Sequence, residues 1–157
     1  MLQRIQTVFL FLLALAMGIA LANPIWEKSG ANPSDMARLT ALEYSEKVGV
    51  TTNVSPVWYL GLLILAVVVL SIFAITQYRN RLRQSMICAV NALLMTGVMG
   101  VVLYTTLYKG KEFGNPADQG NFLFGFYSII AALVMNTLAN RAIRRDERKV
   151  RESERFR

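Results

Sequence analysis

Four long apolar runs separated by short polar stretches dominate the chain: Ile5–Ala22, Val57–Thr76, Ser85–Tyr108 and Phe122–Ala139. Each has about the length a helix needs to cross a hydrocarbon core of about 30 Å at about 1.5 Å per residue. None holds a charged side chain. The second is the plainest, with an unbroken apolar block from Leu62 to Leu70. The third carries Asn91 and Thr96 and the fourth Ser128, Asn136 and Thr137, the pattern of helices that turn a polar stripe toward neighbours instead of lipid. The pattern predicts an all-α fold: an integral membrane four-helix bundle over residues 1–140, followed by a helical extension over 141–157.

Composition and charge then fix the class and the direction. With 54% of its 157 residues hydrophobic and 17% charged, the chain is too apolar for one soluble core. Its net charge of +7 is concentrated in short stretches. Of seventeen Lys and Arg, Arg4 precedes the first run, Arg79, Arg81 and Arg83 lie between the second and third, and eight follow the fourth. Only Lys28, Arg38, Lys47, Lys109 and Lys111 lie on the other side, so the positive-inside rule places both termini of this multi-pass chain in the cytoplasm. Trp26, Trp58, Tyr59 and Tyr108 fall at the outer boundary, where an amphipathic ring is stable at headgroup level, and Tyr78 marks the inner one.

The first run ends in Ala20-Leu21-Ala22, a fair signal-peptidase motif. Its eighteen residues exceed a signal's hydrophobic core, and Ala14, Gly18 and Ala22 recur every fourth residue, as in a helix that packs closely on another. Retention is therefore expected. In the first outer loop, residues 23–56, Asn32-Pro33-Ser34-Asp35 ahead of Met36, Leu39 and Leu42 reads as a capped surface helix, against a plain solvated connector. The loop from Lys109 to Asn121 reads as a turn-forming connector. The last eighteen residues hold eight bases and four acids without Gly or Pro and should continue the fourth helix, with Ile143 and Val150 on one face. Glu147 with Arg151, Asp146 with Lys149 and Glu152 with Arg155 are spaced to pair along it.

Candidate chemistry is sparse. The sequence has no histidine and one cysteine, Cys88, so histidine metal sites, haem ligation and disulfides are not expected, and no catalytic residue, metal or cofactor is assigned. Arginine, the nearest basic residue type to Cys88, cannot act as its base. Ala92 and Gly100, with Ala132 on the fourth helix, join Ala14, Gly18 and Ala22 as helix-packing positions. Asn91, Thr96, Ser128 and Asn136 form a candidate intramembrane polar seam. Arg79, Arg81, Arg83, Arg141, Arg144, Arg145, Arg148, Val150 and Arg151 form a candidate surface for anionic lipid headgroups or for a membrane or cytoplasmic protein. The interleaved acids argue against nucleic acid, and an oligomer is compatible with the packing rows. Gln3, Arg4 and Gln6 make a polar helix start that anchors the boundary or contacts the basic turn or tail.

Met1-Leu2-Gln3-Arg4-Ile5-Gln6-Thr7, the basic turn Tyr78-Arg79-Asn80-Arg81 and above all Leu138-Ala139-Asn140-Arg141-Ala142-Ile143-Arg144-Arg145-Asp146-Glu147 with Val150-Arg151 resemble a bacterial family of small four-helix membrane proteins, domain of unknown function 4293. The resemblance spans the chain and implies that the first helix belongs to the domain. It implies an architecture and brings no activity. The leading functional expectation is a non-catalytic accessory or scaffolding subunit whose basic tail meets anionic lipid or a cytoplasmic partner. The alternative is a small channel or transporter for a neutral solute along the polar seam.

Overall fold

The computed structural model describes residues 2–32, 34–77 and 80–155. Four long helices form a closed ring. Helix α1 (Leu2–Ala22) packs on α2 (Trp58–Thr76), α2 on α3 (Arg81–Tyr104), and α3 on α5 (Phe124–Arg155), which returns to α1. Successive helices run in opposite directions, so the start of α1, the α2–α3 turn and the later half of α5 share one end, called here the tail end. All four are long and apolar enough to cross a membrane. The inward positions of α3 are Gln84, Cys88, Asn91, Met95, Val98 and Val102. This alternation of three and four residues keeps one stripe of a helix on its neighbours.

At the other end the chain builds a sheet, so the fold is not purely all-α. Strands β1 (Trp26–Ser29), β2 (Met36–Leu39), β3 (Glu43–Val48), β4 (Thr51–Pro56) and β5 (Asn121–Phe122) pair in the order β4-β3-β2-β1-β5, antiparallel throughout. The surface helix expected after Asn32 is instead a turn leading into β2. In β2 Met36 and Arg38 face outward while Ala37 and Leu39 are buried, the period of two of a half-buried strand. The Asp35 carboxylate anchors the turn, accepting from the Gly49 N–H at 2.8 Å and the Asn32 amide at 3.0 Å. Gly49 and Val50 join β3 to β4, with φ +59° at Gly49 suiting the tight hairpin turn that favours glycine at its first position.

The sheet is held by an extension of α3. Helical backbone continues through a π turn (Thr105–Lys109) and a short α4 (Gly110–Glu112), past the expected end of the third span. Thr105 and Thr106 hydroxyls donate back to the Val101 and Val102 carbonyls as the π turn opens, at 2.9 and 3.0 Å. Trp26, expected at a headgroup boundary, is fully buried between this extension and the sheet: its Nε1 donates to the Gln119 carbonyl at 2.9 Å and its ring stacks on Tyr44. Trp58, Tyr59 and Tyr108 are exposed, and Tyr78 lies outside the described residues. Lys28 is also fully buried, and its Nζ donates to the Gly110 carbonyl at 2.7 Å. That carbonyl lies in the last turn of the helical run, where a cation offsets the negative end of the helix dipole.

Candidate functional site

The core divides into two apolar clusters with polar groups between and beyond them. Leu13, Met17, Leu60, Ile64, Met95, Val98 and Ile129 belong to the larger cluster, toward the sheet. Leu10, Ala74, Cys88, Ala139 and Ile143 make the smaller one, toward the tail end. Between them Ser71 on α2, Asn91 on α3 and Asn136 on α5 are buried together. Asn91 Nδ2 donates to Ser71 Oγ at 3.0 Å, and the Ser71 hydroxyl donates to the Val67 carbonyl at 2.6 Å. Asn136 Nδ2 donates across to the Cys88 carbonyl at 3.0 Å.

A second polar layer lies nearer the tail end. Gln84 Nε2 donates to the Ala74 carbonyl at 3.2 Å, Ser85 Oγ to Asn140 Oδ1 at 3.1 Å and Gln6 Nε2 to the Ala142 carbonyl at 3.2 Å. Arg81 on α3 pairs with Asp146 on α5 at 3.1 Å and donates to the Asp146 carbonyl. These bonds join α2 to α3, α3 to α5 and α5 to α1. Interhelical bonds of this kind average about 0.6 kcal/mol each and rise to about 1.7. Each buried amide uses its N–H₂ this way, and the Gln84, Asn91 and Asn136 oxygens have no hydrogen-bond partner.

The expected polar seam is therefore partly assembled. Asn91 and Asn136 lie in it. Thr96 does not: it is exposed on the outside of α3 and its hydroxyl donates to the Ala92 carbonyl of its own helix. Ser128 is buried, but it donates to Phe124 in its own helix, two turns nearer the sheet than Asn136. Ser71, Gln84 and Gln6 are the members that sequence reasoning left out of the seam. Of the expected packing rows, Ala14 and Ala132 are buried and Ala92 is half-buried, whereas Ala22 and Gly100 are exposed. No atom lies within 4 Å of a Cβ built at Gly18 or Gly100, so neither marks a close helix crossing. Glycines that do admit close approach stand elsewhere, at Gly61, Gly110 and Gly125.

At the tail end α5 continues unbroken past residue 140, with Ile143 and Asp146 facing the bundle. Asp146 reaches Arg81 on α3, and the side chain of Lys149, its expected partner along α5, lies outside the described residues. Arg83, Arg141, Arg144, Arg145 and Arg148 are exposed. Arg144 and Arg148, with Glu147, line a cleft of about 360 Å³ whose α3 wall is Leu82 and Ser85. Asn80 caps that end of α3, its Oδ1 accepting from the Arg83 N–H at 3.2 Å. Arg79 and the side chains of Val150 and Arg151 lie outside the described residues. Among the described residues no group of three His, Cys, Asp or Glu is placed to hold a metal ion.

A ring of four apolar helices, crowned by a small sheet at one end and carrying a basic helical arm at the other, defines the class of protein. The chain belongs to the family described as Domain of unknown function (DUF4293), whose model matches residues 2–156. No curated protein matches the chain.

Proposed function

We propose that the protein is a non-catalytic accessory or scaffolding subunit of the bacterial inner membrane, with both termini cytoplasmic and the sheet on the outer face. The observation that carries this reading is the build of α5: one helix runs from the sheet through the bundle and presents Arg141, Arg144, Arg145 and Arg148 beyond it. Cross-helix bonds at Asn136, Asn140 and Asp146 hold that arm to α3. A rigid, cationic arm tied to a membrane bundle suits docking to anionic headgroups or to a cytoplasmic partner. The test is a photo-cross-linker placed at Val150 in intact cells, with recovery of a stoichiometric partner as the expected result. Recovery of none, together with a deletion of residues 149–157 that leaves growth and envelope phenotypes unchanged, overturns it.

Passage of a small neutral solute is the second reading, and the unpartnered oxygens of Gln84, Asn91 and Asn136 favour it. Against it, the polar groups that bond across helices end at Asn91; beyond it Met95, Val98 and Ile129 pack in the apolar cluster, and the buried hydroxyls of Ser128, Thr105 and Thr106 donate back to their own helical backbone. Flux in reconstituted vesicles that exceeds empty controls and falls in Asn91→Leu supports passage, and flux equal to controls removes it.

A further inference from the structure

We infer that the cleft between the start of α3 and the arm of α5 is a binding site for one anionic phospholipid, its phosphodiester held by Arg144 and Arg148. This rests on the proposed orientation, with the tail end at the cytoplasmic leaflet. Depth supports it first. Helix α5 rises about 1.5 Å per residue, so Arg144 stands about 8 Å past Ala139, the last residue of the apolar run. The headgroup layer is about 5–8 Å thick on each side of the bilayer, within reach of a guanidinium on a flexible stem.

Shape and chemistry support it next. Arg144 and Arg148 are one turn apart, so both face the same opening, and a guanidinium offers paired N–H donors to a phosphate. The opposite wall comes from the first turns of α3, whose positive dipole end favours an anion, and Ser85 brings a hydroxyl. Leu82, in the cleft, and Met86, one turn deeper, are exposed apolar side chains along which an acyl chain can lie. Glu147 also lines the cleft and has an interaction of its own. A phosphodiester with an uncharged alcohol carries one negative charge, which two guanidiniums can hold. The walls are fixed relative to each other by the Arg81–Asp146 pair and the Ser85–Asn140 bond.

The test is native mass spectrometry of the full chain in detergent micelles, titrated with dioleoyl phosphatidylglycerol or dioleoyl phosphatidylcholine. One phosphatidylglycerol should bind ahead of phosphatidylcholine. Arg144→Gln/Arg148→Gln should weaken it roughly 25-fold, since each base near the surface contributes about 1 kcal/mol, or about five-fold. Arg141→Gln/Arg145→Gln removes the same charge from the same helix outside the cleft and should cost well under that roughly 25-fold, because neither guanidinium makes a charge-assisted hydrogen bond to the phosphodiester. Equal losses in the two double variants, or equal binding of the two lipids, overturn the site. Glycerol 3-phosphate should fail to compete, and competition by it overturns a lipid as occupant. Capture of a protein at Val150 neither requires nor excludes this binding, so the two proposals fail separately.

Discussion

Gly110→Ala tests how the sheet is fastened to the bundle. Gly110 has helical backbone, φ −62° and ψ −27°, so a methyl group there meets no conformational barrier. Space is what it lacks: a Cβ would lie 2.8 Å from Trp26 Cη2 and 3.0 Å from Cζ2. The indole cannot withdraw, because Nε1 is bonded to Gln119, Tyr44 stacks on one side and Gly120 closes on Cζ2, where its own Cβ would come within 2.8 Å. Overpacking of this kind costs about 1–3 kcal/mol, and alanine in a helix returns about 1. The net loss should be up to about 2 kcal/mol, a fall in Tm of up to about 8 °C for a chain of this size, and about 1–3 kcal/mol when set against an alanine that meets no neighbour. Heating the protein in detergent while following tryptophan emission measures it, since Trp26 is buried and Trp58 already exposed. Gly100→Ala is the reference. With no atom within 4 Å of its Cβ, it should leave Tm unchanged or raise it. If Gly110→Ala is as stable as Gly100→Ala, the wedged indole is not what joins sheet to helix.

Asn91→Leu forfeits one interhelical bond, at most about 1.7 kcal/mol, and removes an unpartnered buried oxygen that costs about 1–3 kcal/mol. Ser71 keeps its bond to Val67, so thermal exposure of the buried Cys88 thiol to a labelling reagent should occur at the wild-type temperature or above, and a Tm loss beyond about 5 °C refutes this. The Gly49 N–H, then the Asn32 amide, hold the Asp35 carboxyl below the usual carboxylate range, so its contribution is whole above about pH 4 and is lost as pH falls through the depressed value. Asp35→Asn should flatten the acid limb of a Tm-versus-pH profile, and an unchanged limb contradicts that anchor. Burial, then the Glu46 and Glu112 carboxylates, push the Tyr44 phenol well above its usual range, so ionisation favours unfolding once pH exceeds about 10. Tyr44→Phe should remove that alkaline loss, and a loss above about pH 10 that persists in the variant contradicts it.

The helices were legible because each is a long apolar run that only a helix satisfies in lipid. The sheet was not, for reasons visible in its residues. Met36, Leu39 and Leu42 fall at helical spacing, which hides the alternation of Ala37 and Leu39 beneath it. In β1 a lysine occupies an inward position, and only the Gly110 carbonyl, far off in sequence, makes that burial tolerable. Strand β4 has no fully buried side chain to show a face, and β5 is two residues pairing with β1 from the far side of two spans. The small-residue row Ala92, Thr96 and Gly100 misled for a geometric reason. It is displaced by one residue from the inward positions Asn91 and Met95, and one residue turns a helix by about 100°. A four-residue repeat fixes a face without saying which neighbour it meets. The basic arm was legible as charge, but Asp146 gave no sign in sequence that it would also reach across to Arg81.

The two ends of the bundle are held by different forces. Toward the sheet, packing fastens the ring: an indole wedged between glycines, an ammonium on a helix end and an apolar cluster from all four helices. In the proposed membrane setting, apolar contacts inside the ring gain little over contacts with lipid itself, so specificity at that end depends on shape. Toward the tail end the ring is clasped by directional bonds, and each bond fixes one helix against its neighbour at a defined height. Those bonds set the width of the cleft that α3 and α5 share, and they do so next to the arginines that project from it. Arg81–Asp146 adds little stability, since its guanidinium side is only partly buried and such ion pairs contribute about 0–1 kcal/mol. What the pair adds is a fixed orientation of the basic arm relative to α3. The proposed docking of the arm draws on that orientation.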